Sequence, residues 1–312
     1  MSAYALVFPG QGSQSVGMLK ALAETHPEVN ATLAEAGSAL GFDLAGMIAN
    51  GPKELLDSTE NTQPALLAAS VAVWRVWCSL GLPPPSALAG HSLGEYSALV
   101  AAGAIDFADA LKLVRLRGQL MQAAVPAGTG GMAAVIGMED EAVAVLCKKY
   151  AGEGLLAPAN FNCPGQVVVA GNATAIDWLL ANGKANGARM VMRVGMSVPS
   201  HCALLEDAAK QLAVALAGTD IRSPKITVLH NLDAAARSEP DAIRAALAAQ
   251  LHQPVQWTRS IQALAAQGIN TYFECGPGKV LGGLIKRISA EARLAALEDP
   301  AALAAAAELV KT

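Results

Sequence analysis

Residues 87–101 read ALAGHSLGEYSALVA: an apolar strand-like run, a serine between two glycines, and a helix-like stretch in direct succession. The segment Gly90-His91-Ser92-Leu93-Gly94 is a GxSxG motif, which in this context predicts a sharp strand-to-helix turn with an exposed serine hydroxyl. The free N–H groups and positive dipole end of the following helix would face an oxyanion formed at Ser92. The pentapeptide alone is equally compatible with a glycine-rich turn whose serine caps the helix, so other residues must separate a nucleophile from a cap.

The composition indicates a globular protein: the chain has 312 residues, of which 53% are hydrophobic, enough to form buried cores. No apolar run reaches the roughly 20 residues that a membrane-spanning helix needs. The net charge is −4 and the basic residues are scattered, which argues against a nucleic-acid-binding surface. The N-terminus lacks the basic segment of a secretion signal, and we expect a cytoplasmic protein.

The cysteines form an odd set without CxxC or Cys/His ligand spacing. This pattern argues against a disulfide framework and against a zinc site. We therefore expect no bound metal and buried free thiols at Cys78, Cys147, Cys163, Cys202 and Cys275.

Short apolar runs alternate with amphipathic helical runs, a pattern typical of a mostly parallel α/β sheet. For the larger part of the chain we predict strands at 4–8, 86–90, 225–230 and 271–275, and helices at 63–80, 106–124, 202–217, 241–251 and 258–267. The Ala-rich tail from residue 289 predicts a C-terminal helix. Between these elements, a βαββαβ order is predicted by strands at 132–137, 155–160, 166–170 and 189–194 and helices at 139–150 and 174–186.

Two turn-rich segments, 125–131 and 195–201, border the βαββαβ block. We therefore predict a large α/β-hydrolase-like domain with a mostly parallel sheet, formed by residues 1–125 and 198–312. An inserted small ferredoxin-like subdomain would span residues 126–197. Ligand sites form preferentially in clefts between such units.

Candidate general bases are few, because the chain has only five histidines. His201 lies at the predicted re-entry into the large domain, before an apolar helix, where a short loop could hold its imidazole in the cleft. His91 adjoins Ser92, but neighbouring side chains on a sharp turn point apart, so we expect His91 to line the pocket. Surface or structural roles are favoured for His26, His230 and His252.

Arg117 is the second informative residue, because the helical period places it away from the polar face of the helix at 106–124. It lies beside the apolar stripe, and an arginine directed at the interior requires an anion to offset its desolvation. A buried Asp or Glu would serve, and so would the carboxylate of a ligand. The helix pattern leaves both interpretations open.

The segment Pro9-Gly10-Gln11-Gly12-Ser13-Gln14 follows the first predicted strand and exposes N–H groups between two glycines. A phosphate-binding loop is one interpretation, although the GxxxxGK[ST] and GxGxxG spacings are missing. A loop that donates N–H groups to an oxyanion at the serine turn is the other, and it requires no nucleotide.

An ordered series of motifs along nearly the whole chain resembles the malonyl-CoA:acyl carrier protein transacylases of type II fatty acid synthesis. GxSxG alone is a weak signal, whereas the ordered series is highly specific. The matching strings are PGQGSQ (9–14), TQPAL (62–66), GHSLGEYSAL (90–99), RLRG (115–118), NFNCPGQ (160–166), SVPSHCALL (197–205), PVQWT (254–258) and GPGKVL (276–281).

By this resemblance, Ser92 is the nucleophile and His201 is its general base. Gln250 matches the position whose backbone carbonyl orients the histidine in place of a triad carboxylate. The backbone N–H groups of Gln11 and Leu93 match the oxyanion hole, in agreement with the rule that the residue after the nucleophile contributes one donor.

The resemblance also favours a ligand as the anion for Arg117, because the matching arginine of the family binds the free carboxylate of malonate. Further cleft-lining positions, in addition to His91, match Gln63, Asn160, Asn162 and Asn231. Three residues depart from the family pattern: Cys163 replaces an expected serine, and His230 and His252 stand where asparagine is more common. None of them falls on the nucleophile, the base or the carboxylate-binding arginine, so they concern pocket shape.

The resemblance implies transfer of a malonyl group from malonyl-CoA to Ser92 and then to the phosphopantetheine thiol of acyl carrier protein, by a ping-pong mechanism. It implies no permanently bound cofactor, a monomer, and no membrane or nucleic-acid partner. An acidic carrier would need a local basic patch. Candidates for that patch are Lys184, Arg189, Arg193, Lys279, Lys286 and Arg287.

Three alternatives remain open. A stand-alone acyltransferase serving a polyketide synthase would use the same chemistry with a different carrier. A serine hydrolase or thioesterase would use Ser92 and His201 with water as the acceptor. A carrier-protein-binding scaffold would have no activity, and a missing Ser92 adduct after exposure to malonyl-CoA would reveal it.

Overall fold

The computed structural model describes residues 3–126, 128–195 and 198–311. Its strands are β1 (Tyr4–Phe8), β2 (Ala87–Gly90), β3 (Gly130–Ile136), β4 (Leu156–Cys163), β5 (Gln166–Asn172), β6 (Met190–Arg193), β7 (Thr227–Leu229), β8 (Thr271–Glu274) and β9 (Arg293–Ala296). Its helices are α1 (Lys20–Thr25), α2 (Pro27–Leu40), α3 (Leu44–Asn50), α4 (Lys53–Leu56), α5 (Thr59–Ser79), α6 (Gly94–Ala101), α7 (Phe107–Ala124), α8 (Asp140–Lys148), α9 (Ala173–Asn182), α10 (Glu206–Ala217), α11 (Pro240–Gln250), α12 (Trp257–Ala266), α13 (Val280–Ile288) and α14 (Pro300–Lys311).

The main sheet has five parallel strands in the order β7-β2-β1-β8-β9. Strand β1 is buried along its whole length, because a parallel sheet covered on both faces requires a continuous apolar run rather than alternation. Leu6 and Phe8 pack into the core on one face with Trp77, whereas Val7 packs on the other face with Trp257. The predicted mixed α/β fold with a parallel sheet is confirmed.

The strand order brings distant loops together at one edge of the main sheet. Strand β2 lies between β1 and β7, and all three run in the same direction. Residues that follow these strands therefore meet at the carboxyl edge, where ligand sites of open α/β sheets form. Gln11 follows β1, Ser92 follows β2 and Asn231 follows β7.

A separate antiparallel sheet has the order β4-β5-β3-β6. Its elements follow the order β3, α8, β4, β5, α9, β6, which confirms the predicted βαββαβ block. Alternate residues of β3 face opposite sides of the sheet. Val135 packs with Val143 and Ile176 of the two helices, whereas Met132 packs in a second cluster with Cys202 from the larger part of the chain.

Backbone hydrogen bonds join the small sheet to the larger part of the chain. The Phe161 N–H donates to the Val255 carbonyl at 2.9 Å, and the Val255 N–H donates to the Ala159 carbonyl at 2.9 Å. The Thr258 hydroxyl also donates to the Phe161 carbonyl at 3.1 Å. The residues that precede and open α12 therefore hold β4 in place.

The limits of the predicted domains stay predictions. Residues 196 and 197, at the expected end of the insertion, lie outside the described residues, as do residues 1, 2, 127 and 312. Within the described ranges, no helix is long and apolar enough to cross a membrane.

The C-terminal tail differs from the prediction of a single helix from residue 289. Residues Arg293–Ala296 form β9, which pairs in parallel with β8, and helix α14 begins only at Pro300. The free edge of β8 offers backbone hydrogen bonds to this segment, and that tertiary pairing overrides the helix propensity of alanine.

Candidate active site

Ser92 lies on a sharp turn between β2 and α6, with a φ angle of 52°. A Cβ atom at Gly90 would lie 1.9 Å from the carbonyl carbon of Gly94, and one at Gly94 would lie 2.0 Å from the Phe8 carbonyl oxygen. Only glycine therefore fits at either position. The N-cap of α6 is Leu93, and the Ser92 hydroxyl bonds elsewhere, so the helix-cap interpretation of the serine does not apply.

The Ser92 hydroxyl faces the imidazole of His201. Ser92 Oγ lies 2.7 Å from His201 Nε2, and His201 Nδ1 lies 2.7 Å from the backbone carbonyl oxygen of Gln250. Because a carbonyl oxygen only accepts, Nδ1 carries the proton and Nε2 is free to accept from the serine. Burial, followed by the positive charge of Arg117, lowers the pKa of His201 to about 3. The imidazole is therefore neutral near pH 7 and able to take a proton.

Arg117 projects from α7 into the same site and is only 1% exposed. Its Nη1 donates to Gln63 Oε1 at 2.8 Å, and its Nη2 donates to Gln250 Oε1 at 3.1 Å and to Ser92 Oγ at 3.3 Å. The guanidinium also lies 5.5 Å from the centroid of the Tyr96 ring. Among the described residues, no carboxylate forms an ion pair with Arg117. Neutral acceptors thus hold the guanidinium while its charge stays available to a ligand.

The predicted oxyanion-hole residues flank Ser92. Gln11 and Leu93 both line the cleft around the serine. Neither backbone N–H donates a hydrogen bond to any described residue. A Cβ atom at Gly10 would lie 2.5 Å from the His91 carbonyl oxygen, so the loop after β1 packs directly on the serine turn.

The cleft is narrow, and only part of the predicted lining reaches it. Beside the catalytic candidates, His91 and Asn160 line it, together with Met121 and Ser200, which the sequence analysis missed. The other predicted lining residues differ from expectation, because they lie behind the cleft surface and contact residues that form it. These are Gln63, Asn162 and Asn231.

Asn231 holds the serine turn from both sides. Its Oδ1 accepts from the Ser92 N–H at 2.6 Å, and its Nδ2 donates to the Gly90 carbonyl at 2.6 Å. Asn162 contacts the ring of His91, whose Nε2 lies 2.8 Å from Asn162 Oδ1. Burial lowers the pKa of His91. This contact ties the small sheet to the serine turn.

The remaining predicted residues lie outside the cleft lining. His252 borders a separate surface pocket between α10 and α11, and His26 contacts the hydroxyl of its neighbour Thr25 at 2.8 Å. Cys163 is buried, with its Sγ 3.7 Å from Gln166 Oε1. The expectation of buried thiols is wrong for Cys78, which is exposed near the end of α5. No cluster of three or more His, Cys, Asp or Glu side chains suited to a metal ion occurs within residues 3–126, 128–195 and 198–311.

Sequence reasoning missed Glu95, a fully buried carboxylate one helical turn after Ser92. It accepts hydrogen bonds from His230 Nδ1 at 2.7 Å, from the Asn231 N–H at 2.9 Å and from Gln250 Nε2 at 2.9 Å. The available signal was a single charged residue at the start of an otherwise apolar helix that packs on the main sheet. His230, expected to be structural, is the buried partner of this carboxylate.

Comparison with known proteins assigns the family. Residues 5–296 match the acyl transferase domain family. The malonyl CoA-acyl carrier protein transacylase of Escherichia coli K12 is 52% identical over 309 residues, which cover 99% of this chain and 100% of that relative.

Solved structures support the same family assignment. The malonyl CoA-acyl carrier protein transacylase of Coxiella burnetii superimposes with a TM-score of 0.98 at 45% identity, covering 100% of this chain and 98% of that one. A malonyl-transacylase in complex with its type II PKS acyl-carrier protein gives a TM-score of 0.97 at 50% identity, covering 99% and 100%. The chain therefore belongs to the malonyl CoA-acyl carrier protein transacylase family of acyl transferase domains.

Proposed function

We propose that this protein transfers the malonyl group of malonyl-CoA to the phosphopantetheine thiol of acyl carrier protein, through a malonyl ester on Ser92, and so supplies fatty acid chain elongation. One observation carries the proposal: Ser92 Oγ lies 2.7 Å from His201 Nε2 and 3.3 Å from Arg117 Nη2. A nucleophile, a neutral base and a guanidinium without a carboxylate partner suit an acyl group that ends in a carboxylate.

In the first half-reaction, the Ser92 hydroxyl attacks the thioester carbonyl while His201 Nε2 accepts its proton. The backbone N–H groups of Gln11 and Leu93 donate to the oxyanion of the tetrahedral intermediate. The carbon–sulfur bond then breaks, and the CoA sulfur takes the proton from His201. A thiol with a pKa of about 8.5 is a good leaving group, so no further acid is required.

In the second half-reaction, the phosphopantetheine thiol occupies the place that CoA has left. His201 Nε2 accepts the thiol proton, the sulfur attacks the malonyl-Ser92 carbonyl, and the proton returns to Ser92 Oγ as the ester bond breaks. The Gln250 carbonyl keeps the His201 ring in the required tautomer through both steps. Because a thioester is reactive, a dyad without a triad carboxylate suffices.

Arg117 supplies acyl-group selectivity in this mechanism. A planar guanidinium binds a carboxylate through two parallel hydrogen bonds, each contributing about 1.5–3 kcal/mol when charge-assisted. An acetyl group has no carboxylate and would leave the buried guanidinium of Arg117 without an anion in direct contact.

A second candidate differs only in the carrier. The similar structure of a malonyl-transacylase bound to its type II PKS acyl-carrier protein favours testing a polyketide carrier as the acceptor. Hydrolysis is the more distant alternative, with water as the acceptor of the acyl group.

The test is incubation with malonyl-CoA, methylmalonyl-CoA or acetyl-CoA, followed by peptide mass mapping and then by addition of a carrier protein. We expect a malonyl adduct on the peptide containing Ser92 that persists in buffer and is discharged by holo carrier protein, not by carrier without phosphopantetheine. Rapid loss of the adduct to water would indicate a hydrolase, and absence of any Ser92 adduct would refute the proposal.

We also propose that the protein acts as a cytoplasmic monomer. All five cysteines are free thiols, which suits a reducing compartment. Light scattering of the purified chain would test the monomer.

A further inference from the structure

The buried carboxylate of Glu95 contacts three hydrogen-bond donors and no solvent. The proposed mechanism gives it no role, because Glu95 touches neither Ser92 Oγ nor the imidazole of His201. A buried ionised carboxylate is expensive unless donors and a nearby cation stabilise it. Its position one turn after the nucleophile therefore calls for an explanation.

Gln250 joins Glu95 to the reacting groups through three of its atoms. Its backbone carbonyl accepts from His201 Nδ1 at 2.7 Å. Its side-chain Oε1 accepts from Arg117 Nη2 at 3.1 Å. Its Nε2 donates to Glu95 Oε2 at 2.9 Å and to the Ser92 carbonyl at 2.9 Å.

The chemistry of these partners allows only one orientation of the Gln250 amide. The carboxylate of Glu95 and the carbonyl of Ser92 only accept, so they require the NH₂ group on their side. The guanidinium of Arg117 only donates, so it requires the oxygen on its side. If the amide were flipped, its oxygen would face the acceptor oxygens of Glu95 and Ser92, and its NH₂ group would face the N–H donors of Arg117. The carboxylate thereby fixes which end of the amide meets the arginine.

We infer that Glu95 is a positioning residue that acts through the Gln250 amide to hold Arg117 ready for the carboxylate of the acyl group. The inserted amide separates the two charges, so the carboxylate polarises the contact without occupying the guanidinium. A direct Glu–Arg ion pair would compete with the substrate for the same N–H groups. This inference rests on the proposed function of Arg117.

His230 and Asn231 hold the carboxylate in this orientation. His230 Nδ1 donates to Oε1, and the Asn231 N–H donates to Oε2, so both oxygens are fixed. These two residues follow β7, whose position beside β2 brings them to α6. The histidine at position 230 is one of the departures from the family pattern, and in this chain its Nδ1 donates to Glu95.

The test compares Glu95→Gln with Glu274→Gln as a matched control. Glu274 is also a buried carboxylate, and it accepts from the N–H groups of Leu281 and Gly282 at 3.0 and 2.9 Å, outside the cleft. The readout is the ratio of kcat/KM for Ser92 acylation by malonyl-CoA to that by acetyl-CoA, with thermal unfolding measured in parallel. We expect Glu95→Gln to lower this ratio about tenfold or more, and Glu274→Gln to leave it unchanged.

A double-mutant cycle with Gln250→Met separates positioning from general packing. Methionine has a similar shape and keeps the backbone carbonyl that orients His201, but it removes the side-chain amide. We expect Gln250→Met to lower the selectivity ratio about as much as Glu95→Gln does. In the Gln250→Met background, Glu95→Gln should change the ratio less than about twofold, because the two residues act in series.

Each outcome decides the inference. Equal selectivity in wild type and Glu95→Gln, or additive effects in the cycle, would overturn it. If Glu95→Gln does not fold, Gln250→Met decides alone, and an unchanged ratio in that variant would overturn the inference. Failure of wild type to form malonyl-Ser92 would instead refute the proposed function, so the two failures are distinguishable.

Discussion

At the scale of single residues, Arg117 and His201 influence each other across Ser92. Both contact the Ser92 hydroxyl, and the charge of Arg117 is the second cause, after burial, of the lowered pKa of His201. A substrate carboxylate on Arg117 would offset that charge, so the pKa of His201 would rise when the matching acyl group is bound. In the proposed mechanism, the substrate that Arg117 selects would thus make His201 a stronger base.

The first prediction concerns Arg117→Ala. Loss of a two-bond, charge-assisted contact should lower kcat/KM for acylation by malonyl-CoA about 100-fold or more, while acylation by acetyl-CoA changes less than about tenfold. Arg115→Ala is the control, because Arg115 lies on the same helix but packs over the ring of Phe42, 4.6 Å from its centroid. An unchanged preference for malonyl over acetyl in Arg117→Ala would contradict the role assigned to this residue.

The second prediction concerns pH. Since the pKa of His201 is lowered to about 3, the neutral base predominates at higher pH, and the rate of Ser92 acylation should be flat between about pH 5 and pH 8. Arg117→Ala removes one cause of the lowered pKa of His201, so that pKa should rise. The pH at which the acylation rate falls on the acid side should then be higher than in wild type. Single-turnover acylation by acetyl-CoA in both proteins measures this. A wild-type acylation rate that falls to half near pH 6.5, the ordinary pKa of histidine, would contradict this prediction.

At the scale of elements, the turn between β2 and α6 depends on glycine, and this gives the third prediction. Gly90→Ala would place a Cβ 1.9 Å from the carbonyl carbon of Gly94, so the turn must shift. We expect the free energy of unfolding to fall by about 1–3 kcal/mol or more and Ser92 acylation to be lost. Gly283→Ala is the control, because its Cβ would meet no atom within 4 Å on α13 and alanine favours helices by about 1 kcal/mol. Wild-type acylation and melting temperature in Gly90→Ala would show that the turn tolerates a side chain.

Hydrophobic periodicity predicted most elements but not all. The long segments α5 and α7 were confirmed, because a continuous apolar run marks the largely buried α5 and a periodic apolar face marks α7. Helices α1 to α4 were not predicted, although α2 spans 14 residues. Their buried apolar side chains pack in the same core cluster as those of α5. Strand β9 was wrongly assigned to a helix, because only pairing with β8 makes it a strand.

At the scale of the whole molecule, two of the candidate docking arginines lie near one end of the small sheet. A Cβ at Gly137 would touch Arg189 Cβ at 2.7 Å, and one at Gly165 would lie 3.9 Å from Arg287 Nη2. These two glycines are themselves joined by a backbone hydrogen bond of 2.8 Å. Arg193, by contrast, pairs with Asp177, which offsets its charge.

The fourth prediction follows from this basic patch. Arg189→Glu should raise the KM for carrier protein several-fold at low salt, and the effect should shrink at high salt because screening weakens charge attraction. The rate of Ser92 acylation by malonyl-CoA should not change. Lys311→Glu, on α14, makes the same change in net charge as a control. Equal KM values for the two variants would place the carrier elsewhere.

The sequence by itself determined the serine turn, the βαββαβ block and the family, because glycine spacing, apolar periodicity and motif order are local properties of the chain. Only the tertiary structure decided which side chains of the site bond to one another. It gave Arg117 amide oxygens rather than a buried carboxylate as its direct partners, and it placed Glu95 behind Gln250. The contacts of Glu95 with His230 and Gln250 join segments more than 100 residues apart. His230 reaches Glu95 because β7 lies beside β2 in one parallel sheet.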